Sequence, residues 1–257
     1  METLVVKAFI MKIIEFIKAV IFPKRKMKTR KVIRLSYRGK IVAKYLYGID
    51  IDGYMYEDIK NRPDCCPICH NTLRKIPNLD KKLYAKNFDI GYTHDHYCVV
   101  SERFKDFCEK NGYPNLLFIP LKSKGMYYFE AQDIYKLDYK RYGTRFIDKR
   151  DCCGSYDEVI GPPVSTQIGF DAGSDDFIMR SEYMFASYYY KGYSIIVGPK
   201  TALKMKEYGL KRIYFKNIYD SNVKVLEKEM EITSYNTAYD AERVQRTINA
   251  YKQETDE

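Results

Sequence analysis

The residue types best suited to chemistry in this chain are its cysteines. Cys66-Pro-Ile-Cys69 is a CxxC with proline after the first cysteine, the knuckle that presents two thiolates to one Zn²⁺. A structural zinc site needs four ligands, and no second CxxC follows at the usual spacing. The metal reading therefore takes Cys66 and Cys69 with the adjacent pair Cys152 and Cys153. Neighbouring residues rarely both ligate one tetrahedral ion. That leaves one of the pair as the comfortable ligand, and His70, His94 or His96 as candidates for the fourth. A redox CxxC sits at the start of a helix, whereas Pro63, Pro67 and Pro77 here crowd a loop. The plain alternative to zinc is a former metal loop held by packing alone.

His94-Asp95-His96 is the next candidate. Alternate histidines on a strand point the same way and suit a metal or a phosphodiesterase-like site. Nothing assembles around them, since the chain has no HExxH, no phosphate-binding glycine loop and no serine elbow. Surface histidines on a strand edge are the simpler reading. Asp171, Asp175 and Asp176 resemble a metal cluster, but Gly169 and Gly173 beside them point to turn chemistry. No convergent acid–base set emerges, which argues for a protein without a catalytic centre.

The chain of 257 residues carries 44 Lys and Arg against 34 Asp and Glu, a net charge of +10 that permits contact with nucleic acid or an anionic membrane, though the charges are spread along the chain. With 46% hydrophobic residues it buries a core, so disorder, collagen and coiled coil are excluded. Seven cysteines, an odd number with two adjacent pairs, read as reduced thiols and a cytoplasmic setting rather than a disulfide framework. Cys98 and Cys108 read as core side chains.

Four elements must position these groups. Residues 1–30 are an amphipathic helix and a basic linker. Lys7, Lys12, Glu15 and Lys18 share an arc of about 140°, Pro23 ends the helix, and the cluster from Lys24 to Lys31 follows. An apolar face ahead of a basic cluster suits contact with a membrane surface through residues 1–31. A helix packed on the fold, or an upstream extension with the working chain starting near Met27, are the alternatives. Residues 31–125 form a first half with the CPIC loop, starting as a strand pair or meander over 31–51. Residues 126–220 form a second half with the Cys152-Cys153-Gly154 loop, and 221–257 a charged helical tail. In each half a strand, a helix and a second strand align without gaps, 98–121 on 195–218. Ser101 caps the first helix and Gly198-Pro199 opens the second. The expected class is α/β (α+β), two similar strand–helix–strand halves, each preceded by a cysteine loop, with helical extensions at both ends.

The CPIC loop, the run from Cys98 through Val100-Ser-Glu-Arg-Phe104 to Phe118-Ile-Pro120, and Cys152-Cys153-Gly154 ahead of a second strand–helix–strand together resemble the double-CxxCG proteins. These are bacterial immunity proteins that accompany polymorphic toxins, and the resemblance covers roughly residues 31–220. The chain departs from the family's pattern at His70, where the family has Gly, and at the second motif, shortened from CxxCG to CCG. The resemblance implies a non-catalytic immunity protein that binds one cognate toxin, with zinc as a candidate cofactor. A net positive chain is a poor mimic of nucleic acid, so blockade by masking or by capture of an acidic toxin surface fits better. Among 26 tyrosines, the run Tyr183 to Tyr190 is the densest candidate patch for such a partner; a β-rich segment with tyrosines at the core margin is the alternative. A zinc-structured nucleic-acid-binding protein is the rival class, using the basic cluster and scattered Lys and Arg on phosphate.

Overall fold

The computed structural model describes residues 28–58, 62–141 and 143–234, with side chains described from 36 to 226. The amphipathic segment 1–22 and the apolar positions Tyr239 to Tyr251 lie outside the described residues. Two units are present. One contains a two-stranded sheet of β1 (Lys28–Arg38) and β14 (Lys224–Ser234). The other, Tyr37–Lys224, contains the cysteines and both helices.

Within the larger unit, the apolar runs Cys98–Val100 and Ile195–Val197 become strand segments buried on both faces. The five-stranded sheet has the order β3 (Ile49–Asp50), β4 (Ile90–Tyr92), β5 (Cys98–Ser101), β7 (Met126–Ala131), β6 (Leu116–Pro120). The seven-stranded sheet runs β13 (Tyr214–Tyr219), β2 (Ile41–Tyr47), β12 (Gly192–Val197), β11 (Ile178–Ser187), β10 (Tyr156–Ile160), β9 (Arg145–Lys149), with β8 (Ile134–Tyr135) beside β11. One sheet curls into a half-barrel. Helix α1 (Glu102–Lys110) starts on Ser101, whose hydroxyl accepts the Phe104 N–H, and buries Phe104, Phe107 and Cys108. Helix α2 (Pro199–Glu207) starts on Gly198 with proline in its first turn and buries Ala202 and Met205.

The two sheets repeat one motif in register. In the first, β7 lies between β5 and β6, with Val99 and Ile119 both opposite Tyr128. In the second, β2 lies between β12 and β13, with Ile196 and Lys216 both opposite Tyr45. The outer neighbour matches as well, with Ile90 opposite Val100 and Ile178 opposite Val197. Alternation along the strands sorts these residues identically. Val100 and Phe129, like Val197 and Leu46, join the apolar cluster of Phe104, Phe107 and Met205 from the helices. Val99 and Tyr128 enter a second cluster, and Ile196 and Tyr45 a third, each beyond its own sheet.

The connection differs between the copies. The middle strand of the first follows β6 directly as a hairpin, whereas that of the second comes from residues 41–47, far upstream of β12.

The α/β class does not hold. Fourteen strands, against two nine-residue α-helices, make up the regular structure of the described residues, which is mostly β-sheet. The recurring unit is not a contiguous half, because β2 leaves the first half to complete the second sheet. For the same reason the expected pair over 31–51 does not form: β1 pairs with β14 and β2 with β12 and β13. The helical extension expected after 221 is also corrected, since Lys224–Ser234 is strand. There Val223 and Val225, then Met230 and Ile232, alternate with charged residues at period two, a strand signal that the charge density obscured.

Candidate metal centre

The first cysteine loop is a pinched turn. Leu73 N–H donates to Asp64 O and Cys66 N–H to Asn71 O, while His70 N–H closes the knuckle on Cys66 O at 2.9 Å. Cys65 and Thr72 form an isolated antiparallel bridge at its neck. Closing so tight a turn puts His70 at φ 59°, the left-handed region that favours glycine. The second loop is the tip of the β9–β10 hairpin. Arg150 O accepts from Gly154 N–H at 2.7 Å and from Cys153 N–H, and Gly154 takes φ 69°. Each cysteine motif therefore ends on a left-handed residue, filled by glycine in the hairpin and by histidine in the knuckle.

The two loops meet at their sulfurs. The Sγ atoms of Cys66, Cys69, Cys152 and Cys153 all lie within 4.8 Å of one another. Cys66 and Cys152 are 3.8 Å apart, and Cys69 and Cys153 3.6 Å. A tetrahedral ion with metal–sulfur bonds of about 2.3 Å spaces its sulfurs about 3.8 Å apart, so the four cysteines fit a metal ion. Both members of the adjacent pair join the cluster, contrary to the expectation that one would, because the hairpin tip reverses the chain between them. None of the three histidines completes the site. His94 is exposed and lies 3.9 Å from Asp52, and His94 and His96 sit in the turn between β4 and β5 rather than on a strand. The Nδ1 of His70 is buried without a hydrogen-bond partner.

The electrostatics of the four thiols are unequal. Backbone N–H groups of Cys69 and Ile68 hold the Cys66 thiol down to about 7, the knuckle arrangement that stabilises a thiolate. Desolvation of its sulfur, and then the neighbouring Cys69 and Cys66 sulfurs, push Cys152 up to about 12. With all four ionised, thiolates gathered this closely would need a cation among them.

Buried polar groups hold the two loops together. Asn71, fully buried, donates through Nδ2 to Asp157 Oδ1 at 2.7 Å and to Cys69 Sγ at 3.4 Å. Asp157, on β10, also accepts Arg150 Nε at 2.8 Å. Behind Cys65, Arg62 binds Asp64 at 2.9 Å and donates to Tyr189 O, and Tyr97 donates to the Asp64 carboxylate. Asp95 accepts the Met55 N–H and lies 3.6 Å from Arg62, so this residue of the His-Asp-His run serves the loop scaffold. Arg62, Asn71 and Asp157 had no signal in the sequence beyond nearness to the cysteines, and Lys191 (below) had none.

The remaining candidates lie elsewhere. Cys98 and Cys108 are buried in the helix-side core, where desolvation drives their thiols up. Asp171 caps a turn at Gly173, and Asp176 binds Tyr113, Thr201 and Lys204. In the tyrosine run, Tyr183 packs on Tyr139 and Phe146 at 4.8 Å ring separation and stays 36% exposed, at the margin between core and surface. Among the described residues no helix is long and apolar enough to cross a membrane. Comparison with protein-family models, with curated proteins and with solved structures finds no match to this chain.

Proposed function

We propose that this chain is a zinc-structured, non-catalytic immunity protein that binds and neutralises a cognate bacterial toxin in the cytoplasm. The observation that supports it best is the meeting of two cysteine loops, each ended by a left-handed residue, in one four-sulfur cluster. That is the arrangement a pair of CxxCG motifs would need in order to share one ion. Four protein sulfurs fill a tetrahedral site and leave no open position for substrate, which suits a structural metal rather than a catalytic one. Zn²⁺ is the ion that four thiolates at this spacing suit best.

The partner reading is tested separately from the metal. Co-expression of the full chain with the toxin domain encoded beside it should restore growth. The two proteins should also co-purify as a stoichiometric complex that survives high salt. Failure of rescue with soluble, zinc-loaded protein would sink the immunity reading and leave the zinc reading standing. Elemental analysis giving well below one zinc per chain, in protein purified without chelator, would sink the zinc reading alone.

A further inference from the structure

We propose that Lys191 is the buried counter-ion of the metal–thiolate centre and sets how tightly the four cysteines hold their ion. This rests on the metal reading above. Lys191 lies between the short turn of Tyr188–Tyr190 and β12 and is only 2% exposed. Its Nζ donates to Ser155 Oγ at 2.8 Å and to Tyr156 O, the two residues that follow Gly154 in the hairpin. Both acceptors are neutral. Among the described residues no carboxylate comes within ion-pair distance of this ammonium.

A buried lysine without a counter-charge is costly, because desolvation penalises the charged amine. Burial holds the Lys191 amine below its ordinary value, and the groups that oppose this are Cys153 first, then Asp157, Cys69 and Cys65. Asp157 is already occupied by the Arg150 guanidinium and by Asn71. With neutral thiols, Arg150 and Asp157 cancel and Lys191 stands as one unbalanced buried cation. A divalent ion on four thiolates carries a net charge of −2, and Lys191 is the group placed to offset part of it. The same ammonium pins the return strand of the hairpin, so charge and position act at one residue.

The test uses the full chain and three variants, Lys191→Met, Lys191→Arg and, as a control on α2, Lys204→Met. Zinc affinity is measured by competition with a chromophoric chelator, and unfolding is followed in zinc-loaded and metal-free protein. Groups just outside a metal's ligands typically change affinity about 10–100-fold, and Lys191→Met should fall in that range. Its metal-free form should be at least as stable as wild type. Lys191→Arg and Lys204→Met should bind zinc much as wild type does. Cobalt(II) at saturation should give the charge-transfer bands of a four-sulfur site in all of them, showing the ligand set intact. The proposal is overturned if Lys191→Met binds zinc as wild type does. It is equally overturned if Lys191→Met and Lys191→Arg lose zinc alike, or if the loaded and metal-free forms are destabilised equally. Wild-type protein that takes up no metal would instead remove the reading on which the proposal rests.

Discussion

Tyr45 and Tyr128 occupy the same register position in two different sheets. Each is the central residue of a middle strand, opposite Ile196 and Lys216 in one case and Val99 and Ile119 in the other. Both are buried, but their hydroxyls meet different partners. Tyr45 donates to Pro163 O at 2.7 Å, whereas Tyr128 donates to the Glu130 carboxylate. Tyr45→Phe strands a buried carbonyl and should cost about 1–2 kcal/mol. Tyr128→Phe leaves a carboxylate near the surface and should cost less. Urea unfolding of both variants measures the difference, and a larger loss at Tyr128 would contradict it.

Asp176 ties the two copies of the motif together. It accepts the Tyr113 hydroxyl from the loop after α1, while Asp89, ahead of β4, accepts the Lys211 N–H from the loop after α2. Burial pushes the Asp176 carboxyl up, but hydrogen bonds from Lys204, Tyr113 and Thr201 outweigh it and hold the group below its ordinary value. A depressed folded value means that the stabilisation is complete above the unfolded value near 3.9 and is lost as pH falls through the folded one. Asp176→Asn should therefore cost about 1–2 kcal/mol at neutral pH. That difference should shrink in unfolding measurements taken below about pH 4. A difference that stays constant down to pH 3 would rule out the ionic account.

His70 holds a left-handed conformation and a buried ring nitrogen without a partner. The conformation costs a non-glycine residue about 1–2 kcal/mol, and glycine returns about half of that as extra freedom in the unfolded chain. His70→Gly should raise stability by about 0.5–1 kcal/mol with metal occupancy unchanged. Lower stability, or lost metal, would mean that the imidazole serves the site in some further way.

Metal removal should loosen the hairpin before it unfolds the sheets. An ion present at a thousand times its dissociation constant stabilises the fold by about 4 kcal/mol. Chelation, or Cys69→Ser, should lower the melting temperature and speed amide exchange at residues 150–155 while exchange in β5 and β12 stays slow. Uniform acceleration throughout would show that the cluster supports the whole unit rather than one tip.

The parts of this fold legible in the sequence were those set by local chemistry. Ser101 ahead of Glu102 marked the start of α1, because capping acts within a few residues. The aligned segments 98–121 and 195–218 occupy equivalent register in the two sheets. What periodicity could not show was partner choice. Nothing in Ile41–Tyr47 says that it enters the sheet of residues 192–219, since pairing is decided by long-range packing. At the site, Cys66-Pro-Ile-Cys69 announced itself by spacing. Cys152 and Cys153 looked too close together to serve jointly because ligand spacing rules assume a knuckle, not a hairpin tip. Lys191 and Asn71 carry no spacing rule at all.

The cluster also bears on what the molecule avoids. β9 ends the order of the seven-stranded sheet, so its outer backbone groups face away from any strand of that sheet. Such an edge can template pairing with another copy of the chain, and Arg145, Asp148 and Lys149 blunt it with charge. An ion shared by Cys152 and Cys153 with Cys66 and Cys69 would anchor the tip that continues from this strand to a loop some eighty residues earlier in the chain. A hairpin clamped there cannot peel away and offer β10 as a fresh edge. The metal would then act as a guard on solubility, and its loss would show as slow self-association of chains whose sheets are still folded.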